Sequence, residues 1–152
     1  MSRNQPPQPV IRIAAALLLG ADGRTLLVRK RGTIAFMQPG GKIERHEAPI
    51  HALVRELYEE LGLVVEPTSP VYLGRFVASA ANEPDHLVEA ELFEFTTLAE
   101  VRPASEIEEI VWLDPTSPTE LVLAPLTRDH VLPLLGPPFA INEVSRRAAR
   151  PA

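Results

Sequence analysis

Sixteen of the 152 residues are proline. Proline fixes φ and removes a backbone donor, so helix interiors and central strands cannot hold many of them. Most of these prolines must therefore sit outside the regular elements. The polar, proline-bearing segment 1–9 reads as a loose N-terminal arm. Gly136-Pro137-Pro138 closes the domain and leaves 137–152 as a basic, alanine-rich tail. What remains, residues 10–136, is long enough for one sizeable core and little else.

Composition narrows the class. With 45% hydrophobic and 23% charged residues the chain is an ordinary folded one. Its formal charge of -5 argues against broad electrostatic binding to nucleic acid or to an anionic membrane surface. Cysteine is absent, which excludes disulfides, thiolate metal sites and cysteine nucleophiles together. The longest apolar run, Ile13 to Leu19, is too short to span a bilayer, and the N-terminus lacks a signal-peptide layout. The expectation is a cytoplasmic protein with no nucleic-acid and no membrane partner.

Between the ends the pattern alternates. Ile11 to Leu19 is a partly β-branched apolar run that predicts a buried strand. Ala21-Asp22-Gly23 predicts a hairpin turn, and Thr25 to Lys30 the return strand. Pro39-Gly40-Gly41 breaks the chain before a helix over Ala48 to Leu61, with Pro49 in its first turn and Gly62 at its stop. Val71 to Ala80, Leu87 to Thr96 and Glu109 to Leu113 read as strands, and Thr127 to Leu135 as a last helix. The sum is an α+β domain built on a mixed sheet.

The stretch Gly41 to Leu63 carries five of the chain's 20 acidic residues. At ~100° per residue, Ile50, Leu53, Val54, Leu57 and Leu61 gather in a stripe ~100° wide that must face the core. Glu56, Glu59 and Glu60 border that stripe, with Glu60 only ~20° from Leu53. Carboxylates serving solubility belong on the opposite side. Glu56 and Glu60 also stand one turn apart with like charge, which disfavours a helix unless something positive lies between them. A hard divalent cation with oxygen ligands meets that need. Pro39-Gly40-Gly41 just ahead can bring backbone close to a ligand, and a free carbonyl there adds one more hard ligand.

Gly41, Glu47, Arg55, Glu56, Leu57, Glu59, Glu60, Gly62 and Leu63 match without exception the Nudix box G-x5-E-x7-R-E-U-x-E-E-x-G-U. At average residue frequencies such a match arises by chance on the order of once in a billion starting points. The chain therefore resembles the Nudix family, and the resemblance implies the Nudix fold, an α/β/α sandwich with a mixed β-sheet. It also implies hydrolysis of a nucleoside diphosphate linked to a moiety X, with water attacking phosphorus and Mg²⁺ or Mn²⁺ as cofactor. Carried onto this chain, Glu56, Glu59 and Glu60 resemble the metal ligands, with Glu56 also a candidate base. The Gly40 carbonyl resembles the main-chain ligand, Glu47 a more distant one, and Arg55 the residue that ion-pairs within the box. Gly41 lies where the box meets substrate.

Outside the box the resemblance gives less. Many relatives draw a further carboxylate from a loop before the last strand, where this chain offers Glu106 first and Glu109 second. His86 lies in a segment that often contacts substrate, whereas His46, His51 and His130 carry no such context. Trp112, in an apolar strand, reads as a core residue rather than a base-stacking platform. The proline that marks the ADP-ribose type falls here at Val77, and the tyrosine of the dinucleoside polyphosphate type falls among Ala78, Ser79 and Ala80. Elimination leaves the small mutator-type pyrophosphatases of (d)NTPs and oxidised (d)NTPs, with ADP-ribose or a nucleotide sugar as the alternative. The isomerase branch of the fold needs a cysteine that is missing here. A ligand-sensing module without catalysis typically loses box carboxylates, and this chain retains them all. Homodimers are common among such small domains, and nothing in the sequence identifies an interface.

Overall fold

The first strand, β1 (Val10–Leu19), runs through the middle of the sheet because it is apolar on both faces. Ala14, Ala16 and Leu18 point into one core cluster, while Ala15 and Leu17 point into another. A strand covered on both sides has no reason to alternate polar and apolar residues, hence the unbroken apolar run. The computed structural model describes residues 6–136. The tail over 137–152, and residues 1–5 of the arm, lie outside the described residues.

One edge of β1 pairs in parallel with β5 (Leu87–Thr96) along its whole length, from Val10↔Leu87 to Leu19↔Thr96. The other edge is shared. Near its end it meets β2 (Thr25–Lys30) through the Leu19↔Thr25 hairpin, where Gly23 takes a left-handed φ of 83°. Near its start it meets β3 (Gly40–Lys42), antiparallel, with Ala14↔Gly41 and Ala15↔Gly40 in register. β4 (Val71–Ser79) and β6 (Ile107–Leu113) complete the sheet in the order β4-β5-β1-β2-β6, with β3 beside β1.

The helix α1 (Pro49–Leu61) starts on Pro49 and ends at Gly62, whose φ of 66° lets its N–H and that of Leu63 close on the carbonyls of Tyr58 and Leu57. It lays Ala52, Leu53, Leu57 and Leu61 on Ala14, Ala16, Leu18 and Phe93. Each of those leucines is fully buried, contributing roughly 1.5–3 kcal/mol of transfer free energy. The opposite face of the sheet is covered by Leu126, Val131 and Leu135, so the three layers are the expected sandwich. Trp112 packs against the α1-side cluster, as a core residue should.

Two elements differ from expectation by more than one residue, and β3 forms where only a break before the helix was expected. β6 begins at Ile107 rather than at Glu109, because Lys30↔Ile107 extends its pairing with β2 beyond a bulge. The last helix is not α-helical: a wide turn over Thr127–Val131 runs into a tight one over Leu132–Leu135. Pro133 has no N–H to donate and crowds the preceding turn, so a regular ladder cannot continue there. No helix among the described residues is long and apolar enough to cross a membrane.

Candidate active site

The ~20° offset between Glu60 and Leu53 decides the geometry of the site. Glu60 follows the apolar stripe inward, and only 2% of it is exposed. Its Oε1 accepts a hydrogen bond from the Gly40 N–H at 3.1 Å, and its Oε2 has no partner. Burial pushes the Glu60 carboxyl up to about 8, against the pull of that N–H; the charges of Glu56 and Glu106 push the same way as burial. A buried, unpaired carboxylate oxygen is costly, and a hard cation is the group that would satisfy it.

Glu56 lies one turn earlier, over β3. A Cβ placed on Gly41 would fall 2.4 Å from the Glu56 Cδ, so only glycine leaves room for this carboxyl. Gly40 is constrained differently. Its φ is 145°, and a Cβ there would sit 2.1 Å from the backbone oxygen of Ala14. The two glycines thus bring backbone against the carboxylates and against β1 at once. Partial burial raises the Glu56 carboxyl, with Arg55 opposing.

Arg55 holds the other side. Its Nε and Nη2 donate to the two oxygens of Glu47 at 2.9 and 2.8 Å, its Nη1 to Glu56 at 2.9 Å, and Nη2 also to the Lys42 carbonyl at 3.0 Å. Glu59, half-exposed, reaches Arg55 only at 3.8 Å. These bonds pull the Glu47 carboxyl down to about 2. The expectation for Arg55 is met. Glu47 has Arg55 on both oxygens, so in this arrangement it holds the arginine. A folded-state carboxyl lowered from 4.5 contributes stability that is complete above pH 4.5 and is lost as pH falls through about 2. We expect Glu47 to remain ionised at pH 3 in a carboxyl NMR titration and to titrate near 4.5 in Arg55→Ala. An ordinary Glu47 titration in the wild-type protein would show that the arginine clamp is absent.

Among the described residues, no three acidic or histidine side chains converge on one point as a formed metal cage. Glu56 is turned to Arg55 and Glu60 to Gly40, while Glu106, half-exposed, meets Lys30 Nζ at 3.3 Å. Glu106 is nonetheless close enough for its charge to act on Glu60. Glu109, the second choice, is bound to Arg29 at 3.1 Å. The donor set available for a hard divalent ion is therefore Glu56, Glu60 and Glu59, with backbone oxygen from the glycine strip and Glu106 at its margin.

A cavity of about 100 Å³ adjoins this strip on the other side of β3. Ile11, Ile13 and Val88 line it from the sheet, Lys30 and Lys42 bring cationic groups, and Gly40 and Gly41 border both it and the carboxylates. The loop between β4 and β5 reaches the cavity through Ala81, Asn82 and Glu83. His86 does not line it: its Nδ1 lies 2.8 Å from the Pro84 carbonyl oxygen, turned back on its own loop. The sequence alone assigned no site role to four of the lining residues, Lys30, Lys42, Gln38 and Thr127. The available signal for Gln38 was a polar residue directly before Pro39-Gly40-Gly41, in the otherwise apolar run Ile34 to Met37.

Comparison with known proteins agrees with this arrangement. The family model described as NUDIX domain matches residues 9–135. The chain is 33% identical over 150 residues to the CTP pyrophosphohydrolase of Escherichia coli (strain K12), covering 94% of this chain and 98% of that protein. A shorter match, 59% identical over 27 residues, covers 18% of this chain and 22% of the 8-oxo-dGTP diphosphatase of Buchnera aphidicola. The crystal structure of a MutT NUDIX hydrolase from Burkholderia pseudomallei superimposes with a TM-score of 0.62 at 23% identity, over 76% of this chain and 92% of that one. The carboxylates bordering the apolar stripe of α1, the glycines that admit them and a family match across the domain lead to one conclusion: the chain belongs to the Nudix family and is a hydrolase acting on diphosphate bonds.

Proposed function

We propose that the chain hydrolyses nucleoside triphosphates, ribo-, deoxy- or oxidised, to a nucleoside monophosphate and pyrophosphate, with Mg²⁺ or Mn²⁺ as cofactor. The observation that carries this reading is the position of Gly40 and Gly41, which separate a carboxylate pair from a cavity lined by apolar residues and two lysines. A nucleotide needs the same sequence of surroundings: an apolar slot for its base, cations for its phosphates, and oxygen ligands for a metal. The near-full-length likeness to a CTP pyrophosphohydrolase supports the choice of a nucleoside triphosphate.

The residues that would hold the ion are Glu56, Glu59 and Glu60, with the Gly40 carbonyl and Glu106 as further oxygens. A divalent cation held there would supply charge neutralisation for the phosphate oxygens and would lower the pKa of the attacking water. Lys30 and Lys42 draw the anionic phosphates toward a protein whose overall charge is negative. Glu56, its carboxyl raised by partial burial and held by Arg55, would accept the proton of the attacking water. The water oxygen forms the new bond to phosphorus, the bond to the bridging oxygen breaks, and pyrophosphate departs with the displaced electron pair.

The test is release of pyrophosphate or other products from NTPs, dNTPs, oxidised dNTPs, ADP-ribose and nucleotide sugars, with Mg²⁺ and with Mn²⁺. We expect kcat/KM at least about tenfold higher for one or more triphosphates than for any ADP-ribose-type substrate, corresponding to about 1.4 kcal/mol of discrimination. Preferred cleavage of ADP-ribose or a nucleotide sugar would refute the triphosphate assignment.

A further inference from the structure

Gln38 is 5% exposed and its partner Thr127 is fully buried, and both line the cavity. The Thr127 hydroxyl donates to the Gln38 Oε1 at 2.7 Å. That bond occupies the oxygen end of the amide and leaves the nitrogen end, Nε2, enclosed with no partner. Buried amide donors are normally satisfied, and an unmet one costs stability with nothing in the free protein to offset it. The lining is otherwise mostly apolar, Ile11, Ile13, Val88 and Leu126 among it, with Lys30, Lys42, Ser79, Asn82 and Glu83 as its other polar members. A polar group of fixed orientation in a largely apolar slot selects, since the apolar surface contributes affinity without distinguishing one ring from another.

Resting on the reading of this cavity as the base-binding half of the site, we infer that Gln38, oriented by Thr127, is a specificity-determining residue that acts as a fixed hydrogen-bond donor to the nucleobase. The ligand feature it selects is an acceptor, a ring nitrogen or a carbonyl oxygen, at the position facing Nε2. A base that turns an amino or imino N–H to the same position sets donor against donor. Cytosine and uracil have nearly the same shape and exchange donors for acceptors along one edge, and so do adenine and hypoxanthine. Steric fit alone cannot separate either pair, whereas a donor of fixed orientation can. A site built to hydrogen-bond one group discriminates strongly against an analogue that leaves its polar atoms unpaired.

The experiment compares CTP with UTP, and ATP with ITP, in the wild-type protein and in Gln38→Leu, Gln38→Glu and Thr127→Val. We expect the wild-type protein to discriminate about tenfold within at least one pair, mainly through KM. Gln38→Leu brings the two members within about twofold, having lost the amide donor. Gln38→Glu, which replaces the donor by an acceptor, reverses the order. Thr127→Val releases the amide to turn either end to the base and flattens the preference without abolishing hydrolysis. Thermal melts of all variants separate these effects from loss of fold. A second measurement does not depend on turnover: titration of metal-free protein with CMP, UMP, AMP and IMP, followed at the Gln38 side-chain amide in ¹H–¹⁵N spectra and assigned by its absence in Gln38→Leu. The preferred monophosphate should shift that signal. The inference is overturned if the ranking within both pairs is the same in all four proteins, or if no monophosphate moves the amide signal. Those outcomes differ from failure of the triphosphate reading, in which the wild-type protein cleaves none of the four triphosphates while the monophosphate titration still reports on Gln38.

Discussion

Glu60→Gln will lose most of its activity and at the same time become more stable than the wild-type protein at alkaline pH when no metal is bound. The two effects share one cause. Glu60 is buried with an unpaired oxygen, and its carboxyl is pushed up to about 8 from 4.5 by that burial. Between those values the folded state holds a proton that the unfolded state has released, so stability falls as pH rises toward 8. The slope is at most about 1.4 kcal/mol per pH unit for a single group. Glutamine keeps an oxygen for the Gly40 N–H and has no charge to bury, so its stability lacks this slope. In the proposed site it is a poor ligand for a hard cation, and hydrolysis should fall at least about a hundredfold. Melting temperatures at pH 6 and pH 9 with chelator present, alongside steady-state rates with Mg²⁺, test both halves. Equal pH slopes for the two proteins would show that Glu60 is not the buried acid described, and undiminished rates would remove it from the site.

The second large effect separates two adjacent glycines. In Gly41→Ala the new methyl meets the far end of a side chain, the Glu56 carboxyl, at 2.4 Å. That carboxyl can swing away, so the fold should survive with a modest drop in melting temperature. Hydrolysis should nevertheless fall about a hundredfold, since an ångström of displacement in a reacting group has effects of that order. In Gly40→Ala the methyl meets backbone instead, 2.1 Å from the Ala14 oxygen, and the residue must also hold a φ of 145°. Neither β3 nor β1 can yield without breaking their ladder, and a loss of about 3 kcal/mol or more is expected. Denaturant titrations of the two variants, with rates measured on whatever remains folded, give the comparison. If Gly41→Ala retained full activity, Glu56 would not need the space that glycine provides.

The contrast between these neighbours also shows which parts of the molecule can be read from the chain. The box was legible because its chemistry depends on local spacing: one helix sets the separation of Arg55, Glu56, Glu59 and Glu60, and helical periodicity is visible in any window of that length. Pro49 and Gly62 marked the ends of that helix for equally local reasons. The reason for each glycine was not legible, because Gly40 is constrained by β1 and Gly41 by α1, both contacts across the fold. Gln38 and Thr127 were missed on the same account: they stand 89 positions apart, and neither has meaning until the sheet joins them. His86 is a candidate by position, and its Nδ1 bond to the Pro84 carbonyl lies within its own loop, which no sequence pattern announces. The last helix failed where a local rule, the effect of Pro133, was outweighed in reading by an apolar pattern that looked helical.

The parallel pairing of β1 with β5 has a kinetic consequence. The carboxylate strip is made from β1, β3 and α1, all within residues 10–61, whereas the cavity beside it also needs Val88 from β5 and Thr127 from the last turns. Contacts between near neighbours in sequence close cheaply, and contacts across a long loop must first meet its entropy. The half of the site that handles phosphate can therefore organise from a contiguous stretch of chain. The half that distinguishes one base from another needs the long-range pairing of β1 with β5, so we expect the phosphate-handling carboxylates to organise during folding before the means to choose a substrate.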